Sequence, residues 1–363
     1  MPAPNLIARI VRRCALRRPL LLLLLALPLL GGCETLAYHW QAASGHLRLL
    51  AGRAPLTDLA ADPATPPALR AKLHTLADAR RYASDALGLP DNRSYTLYAP
   101  LPHADRREPS ARQALVWNVV AAPEFSLAPK RWCFPVAGCV SYRGYFARGD
   151  AEAKAAELAA AGYDVLVRPA AAYSTLGWFA DPLPEPVLQW RTEAIVRLMF
   201  HELAHQQLYV PGDTRFNESY ASAVGGLGLQ AWRRAQGEAA AVEAPSARAR
   251  IARILEPTYA GLRALYASAQ PAAAKRAAKA ALLEQARARY AAARAESAAG
   301  LERWASWFAA LNNARLAGFA DYSAGVAAFR QLYADCEQRW DCFHAGAAQL
   351  AKDPARRRAF VGP

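Results

Sequence analysis

Histidine is scarce in this chain, with 7 among 363 residues, so a site that needs imidazole must draw on few positions. Acidic residues are missing from residues 1–32, which carry Arg9, Arg12, Arg13, Arg17 and Arg18 ahead of an apolar run from Leu20 to Leu30. That run falls well short of the roughly 20 residues a membrane-spanning helix needs, which favours a secretory signal over a span. No internal repeat is visible, so a solenoid is excluded. Glycine and proline are absent between Pro186 and Tyr209, and nothing there interrupts a helix before Pro211-Gly212 stops it.

That uninterrupted stretch contains His201-Glu202-Leu203-Ala204-His205, which reads as HExxH. On a helix His201 and His205 share one face, and two imidazole nitrogens can converge on one ion. Glu202 is turned partly away, where its carboxylate can reach a water in an open metal position and act as general base. Two histidines could also be ordinary, partly buried polar groups. With so few histidines, however, a chance HExxH is expected in on the order of one chain per hundred. Val187, Ile195, Leu198, Met199, Leu203 and Leu208 give the helix the apolar flank of a buried element.

A catalytic zinc site needs a third protein ligand. Asp213-Thr214 can cap a second helix running to about Gln236, and an antiparallel return would carry Glu218 back to the metal. Asn217-Glu218-x-x-Ala221 after HExxH resembles the gluzincin branch of the zincin metallopeptidases, which implies that Glu218 is the third ligand of one Zn²⁺. Only 12 residues separate His205 from Glu218, a short connection that demands close helix packing; Gly225, Gly226 and Gly228 would permit it. Asn217 then stands behind the ligands, orienting one of them or capping the helix. The alternative for Glu218 is a solvated helix position.

Leu30-Gly31-Gly32-Cys33 resembles a bacterial lipobox, with Cys33 the lipidated residue and 1–32 the signal peptide. An ordinary cleaved signal or an uncleaved anchor are the alternatives. Glu34 after Cys33 is similar to Gram-negative lipoproteins retained at the outer membrane, which implies a periplasm-facing, lipid-anchored protein. The formal charge is +14, or +9 without the five signal arginines. Export and diffuse placement of the charges argue against nucleic acid and for attraction to anionic envelope surfaces. Cys133, Cys139, Cys336 and Cys342 remain as two disulfides in an oxidising compartment, with the local pairings favoured because each closes a short loop. A Cys/His zinc site using His344 is the rival, without a standard spacing.

The expected class is α+β and mostly helical. Residues 33–92 form an N-terminal helical segment broken at Pro63, Pro66 and Pro67. Residues 93–237 form the catalytic core, with β-prone runs at Tyr95–Tyr98, Ala114–Ala121, Val140–Phe146 and Asp164–Val167 and a helix at about 151–161, hence one small sheet before the metal helix. Residues 238–363 are Ala- and Arg-rich helices whose Leu, Tyr and Trp positions read as core packing on that unit.

Trp132-Cys133-Phe134-Pro135, Tyr142-Arg143-Gly144-Tyr145-Phe146, Tyr173-Ser174-Thr175-Leu176-Gly177-Trp178-Phe179, Phe200-His201-Glu202-Leu203-Ala204-His205-Gln206 and Phe216-Asn217-Glu218 together resemble a bacterial family of exported lipoproteins described as aminopeptidases. The resemblance spans nearly the whole mature chain and implies a zincin-like fold, export, zinc and peptide substrates. The chemistry expected is zinc-assisted peptide hydrolysis. His201, His205 and Glu218 bind the metal, Glu202 moves the proton, and Tyr173 leads Tyr142, Tyr145 and Arg143 as oxyanion partner. Each of those four is also an ordinary packing residue. An exopeptidase further needs a carboxylate for the free α-amine, for which Asp181, Glu185 and Asp213 are open choices; no GxMEN-type motif is present. A non-catalytic envelope protein with a structural zinc site is the competing reading, although zinc binding alone does not require Glu202.

Overall fold

The computed structural model describes residues 33–100, 114–134, 138–170, 175–238, 247–321 and 325–362. The Arg-rich segment, the apolar run and Tyr173 therefore lie outside the described residues. The chain divides into two units, Met1–Ala51 and Gly52–Pro363. In the first, the described part is one helix, α1 (Cys33–Ala51).

The second unit opens with β1 (Ala54–Pro55), α2 (Leu56–Ala61) and α3 (Pro67–Asp85). Pro67 is the first residue of α3, where its missing N–H leaves no intrahelical bond unmade. Then come β2 (Leu97–Ala99), β3 (Val116–Pro123), β4 (Trp132–Phe134), β5 (Gly138–Val140), β6 (Arg143–Tyr145), α4 (Arg148–Ala160), β7 (Tyr163–Ala170) and β8 (Leu183–Pro184). The helical remainder comprises α5 (Thr192–Gln207), α6 (Thr214–Ala235), α7 (Ala247–Ala267), α8 (Ala272–Glu296), α9 (Ala305–Ala309), α10 (Asn313–Asp321), α11 (Val326–Asp335), α12 (Trp340–Ala351) and α13 (Pro354–Val361). The class is α+β with 64% helix, which makes the strands accessory to a helical body.

Where the sequence suggests one small sheet, the described residues hold three. β3 is the centre of the largest, flanked antiparallel by β6 and β7, with Val119 opposite Arg143 on one side and Val167 on the other. β2 does not join it. Pro100 follows β2 and offers no N–H to extend a ladder; β2 pairs instead with β1 and, in parallel, with β8. β4 and β5 form a hairpin closed by the Cys133–Cys139 disulfide. Cys336 pairs with Cys342, so both local pairings are present.

The helix expected from Pro184 or Pro186 to Tyr209 is shorter. Residues Glu185–Gln189 form a 3-10 turn, Trp190 is extended, and α5 starts at Thr192. Burial explains the placement of α5: Ile195, Val196, Met199, Phe200, Leu203 and Ala204 are fully enclosed. They share one apolar cluster with Leu73 and Leu76 of α3, Phe216 and Tyr220 of α6, and Phe329 of α11. A second cluster, with Ile251, Leu255, Leu283, Tyr290 and Phe308, fills the α7–α8 hairpin. The metal-motif helix thus runs through the main core, which fixes its side chains as rigidly as the fold allows.

Candidate metal centre

α5 and α6 are joined by residues 208–213, and that connection is built to be tight. Gly212 adopts a φ of +82°, a left-handed conformation that costs glycine little. Asp213 caps α6 by accepting from the Phe216 amide at 3.1 Å. Its other carboxylate oxygen takes the Arg357 Nε at 3.0 Å. The Asn217 side chain clamps Val210 twice: its Oδ1 accepts from the Val210 amide and its Nδ2 donates to the Val210 carbonyl, both at 2.8 Å. Asn217 therefore fixes the turn that brings the next residue, Glu218, round to α5.

Glycine lets the two helices approach. A Cβ on Gly225 would stand 2.8 Å from the Arg197 carbonyl oxygen and 3.3 Å from the Cβ of His201; one on Gly228 would meet Phe200 and Leu87 at 2.9 Å. Gly226 faces elsewhere, toward the guanidinium of Arg330, so of the three glycines two line the α5 contact.

The outcome is a convergent set of three donor atoms. His201 Nε2 and His205 Nε2 lie 3.2 Å apart, and Glu218 Oε2 is 3.3 Å from the first and 3.7 Å from the second. Among the described residues this is the group of three that could hold a metal ion. A tetrahedral ion about 2.0–2.2 Å from nitrogen and oxygen ligands sets those ligands roughly 3.3–3.6 Å apart, so the triangle has the required size. Beyond the two imidazole edges it faces, Glu218 Oε2 is buried and meets no hydrogen-bond donor among the described residues, which is costly unless a cation completes it. His205 Nδ1 is likewise buried without a partner among them.

Electrostatics tie the three together. Burial would raise the Glu218 carboxyl, but His205 and His201 outweigh it and hold Glu218 far below the usual carboxylate range. Burial would lower His205, yet the charges of Glu218 and, more weakly, Glu202 raise it. Glu202 sits beside His201, half-exposed. The solvated-surface reading of Glu218 is excluded by its burial, at 6% exposure.

The other candidate residues fall differently. Tyr145 is buried in β6, with the Arg143 guanidinium over its ring, and Tyr142 packs on the Val120, Leu166 and Ala314 cluster; these are packing positions. Asp181 is enclosed and accepts from both the amide and hydroxyl of Thr175, while Asp213 caps α6, so neither carboxylate is spare for an amine. Glu185 is half-buried in the 3-10 turn. His344 holds no metal with the cysteines: Tyr220 Oη donates to its Nδ1 at 2.7 Å and its Nε2 donates to the Leu87 carbonyl at 2.8 Å.

Two features escape a reading of the sequence. Tyr209, beyond the end of α5 and past the extended Leu208, sets its ring edge-on to the His205 imidazole at 6.5 Å; helical spacing gives no signal for a residue outside the helix. Gln206 takes a hydrogen bond from Asn92 Nδ2 at 2.8 Å and donates to Ser94 Oγ at 3.2 Å, contacts across more than a hundred residues that no local spacing announces. Residues 37–361 match the family described as Putative aminopeptidase, whereas no curated protein and no solved structure matched the chain. A match over nearly the whole chain decides the classification, with the two histidines and the glutamate that could hold an ion lying in its midst: the chain belongs to the putative aminopeptidase family.

Proposed function

We propose that this protein is a zinc-dependent peptidase of zincin-like layout, an aminopeptidase in keeping with its family, acting on peptides at the bacterial cell envelope. The observation that supports it most is the triangle of His201 Nε2, His205 Nε2 and Glu218 Oε2, with sides of 3.2, 3.3 and 3.7 Å. Those three residues would hold the ion. When bound, zinc supplies Lewis-acid polarisation of the scissile carbonyl and lowers the pKa of a water toward about 7.

The remaining work belongs to the chain. Glu202, next to His201 and half-exposed, accepts a proton from the attacking water and passes it to the departing amine. Asn217 holds the connection that presents Glu218. Tyr173, outside the described residues, keeps its place as the oxyanion partner in this reading, and Tyr209, whose ring stands edge-on to His205, is a second phenol beside the three residues that would hold the ion. Anchoring fits the same reading: 1–32 as signal peptide and Cys33 as acylated residue would hold α1 at the outer-membrane surface facing the periplasm.

Purified wild type and Glu202→Gln are compared for metal content and for cleavage of peptides with free and acetylated N-termini. The expected result is about one zinc per chain in both proteins, and cleavage of free peptides by the wild type alone. Zinc without hydrolysis in the wild type would refute the enzyme; equal cleavage of blocked peptides would leave a peptidase but remove the exopeptidase assignment.

A further inference from the structure

Large apolar side chains on a surface need a reason, and next to α5 two stand together: Trp178 and Phe179 are 73% and 48% exposed. They sit on the turn Thr175–Asp181, which is tied down at almost every residue. Asp181 accepts from the Thr175 hydroxyl at 2.8 Å and its amide at 2.9 Å. Trp178 N donates to the Thr175 carbonyl at 3.1 Å, and Phe179 N to the Thr175 hydroxyl at 3.1 Å. The Ala180 carbonyl takes Arg53 Nη1 at 2.8 Å. At the apex Leu176 and Gly177 have φ of 55° and 84°, and the first of these is an uphill conformation for a leucine. A turn bonded so completely holds its aromatics outward as a fixed feature of the surface rather than a passing excursion.

Its position relative to the metal ligands follows from helix geometry. The site of a Cβ on Gly177 is 3.4 Å from Gln206 Oε1, so the turn rests on Gln206. Gln206 is four residues past Glu202, and residues so spaced share a helix face. Gln206 is itself held by Asn92 and Ser94, and Ser94 Oγ accepts from the Asp181 amide at 3.3 Å. The aromatic turn and the Gln206 brace thus form one bonded block, and Gln206 shares with Glu202 the face of α5 that would carry the proton-transfer group.

We infer that Trp178 and Phe179 form an apolar subsite that receives a bulky hydrophobic side chain of the peptide flanking the scissile bond. This rests on the peptidase reading above, and gives it a substrate class: peptides with large apolar residues at the cleavage point. A single methylene gained or lost by a substrate in an apolar pocket changes specificity by about 10- to 200-fold, so replacing Phe by Ala in the peptide should move it by at least the lower end of that range.

The test uses full-length mature protein loaded with zinc, with the tetrapeptides Ala-Phe-Phe-Ala and Ala-Ala-Ala-Ala as probes. Hydrolysis is followed in the wild type, Trp178→Ser, Phe179→Ser and Trp178→Phe, and peptide binding by calorimetry in the Glu202→Gln background with and without Trp178→Ser. The wild type should prefer the Phe peptide about tenfold or more, expressed in KM rather than kcat. Each Ser variant should shrink that preference several-fold toward unity, and Trp178→Phe should restore most of it. A preference that is absent in the wild type, or that survives both Ser variants, overturns the subsite. If the wild type cleaves neither peptide but binds the Phe peptide in a Trp178-dependent way, the hydrolase fails and the subsite stands. Binding of neither peptide removes the subsite as well.

Discussion

His201 Nε2 and Glu218 Oε2 lie 3.3 Å apart although they belong to different helices, so the donor triangle exists only while α5 and α6 stay packed. Replacing Glu218 by Ala should therefore lower zinc affinity by at least about tenfold, with His201 and His205 still in place. The check is differential thermal unfolding. Zinc at about a hundred times its wild-type Kd should stabilise the wild type by about 2.7 kcal/mol, a rise of several degrees in Tm, and at the same zinc concentration a tenfold weaker Glu218→Ala should keep about half of that rise or less.

Gly225 and Gly226 are neighbours in sequence and opposites in consequence. A methyl on Gly225 would stand 2.8 Å from the rigid Arg197 carbonyl, whereas one on Gly226 meets only the mobile end of Arg330 at 3.2 Å. Gly225→Ala should destabilise by about 1–3 kcal/mol through overpacking and reduce metal binding by pushing α6 away from His201. Gly226→Ala should be neutral or stabilising by up to about 1 kcal/mol, since alanine is the better helix former. Denaturant unfolding of the two variants in parallel separates them.

Arg80 is buried and satisfies four acceptors: the carbonyls of Ser94, Pro90 and Asn92 and the hydroxyl of Ser84, at 2.8–2.9 Å. It thereby holds the very residues, Asn92 and Ser94, that brace Gln206. Removing it leaves the buried Ser94 carbonyl without this donor, at about 1–3 kcal/mol, and frees the loop that carries Pro90 and Asn92. Arg80→Leu should lower stability by about 1–3 kcal/mol, and in any variant that still folds the turn bearing Trp178 should become susceptible to limited proteolysis.

His344 supplies a pH dependence whose sign can be worked out. Burial lowers its pKa, only partly opposed by the bond to the Leu87 carbonyl. The groups around it are Tyr220 Oη, that carbonyl, and the rings of Trp340 and Phe343; the Tyr220 phenol is itself pushed up by burial and stays protonated. None of these groups is a carboxylate that would welcome an imidazolium. With the folded value below the unfolded value of about 6.5, the unfolded chain binds more protons as the pH falls, so stability is complete above about pH 6.5 and declines below it. Unfolding free energies measured from pH 8 to 5 should show this decline, and His344→Gln should show less of it.

Local spacing made much of this site legible. Two histidines four apart and a glutamate beyond a Pro-Gly turn are patterns within some twenty residues, and Asp213 capping α6 follows from the same stretch. Apolar positions such as Ile195, Met199 and Phe200 marked the helix as internal for the same reason. What stayed hidden depends on pairs distant in the chain. Gln206 meets Asn92, Ser141 Oγ donates to the buried Asp321 at 2.6 Å, and β2 lies beside β8 rather than β3. Strand propensity identifies a strand but not its neighbour, and for that reason one expected sheet resolved into three. The same limit applied to the amine-binding carboxylates, where Asp181 and Asp213 look free in sequence yet are already committed to a turn and a helix cap.

The short connection between α5 and α6 carries one more implication. Neither helix alone brings all three donor atoms together, and in an extended chain Glu218 and the histidines are separated by a dozen freely rotating residues. An unfolded polypeptide therefore harbours no assembled triad, and the three donors converge only where α5 and α6 share the apolar cluster of Phe200, Leu203, Phe216 and Tyr220. Whatever loosens that cluster separates the three donors as well.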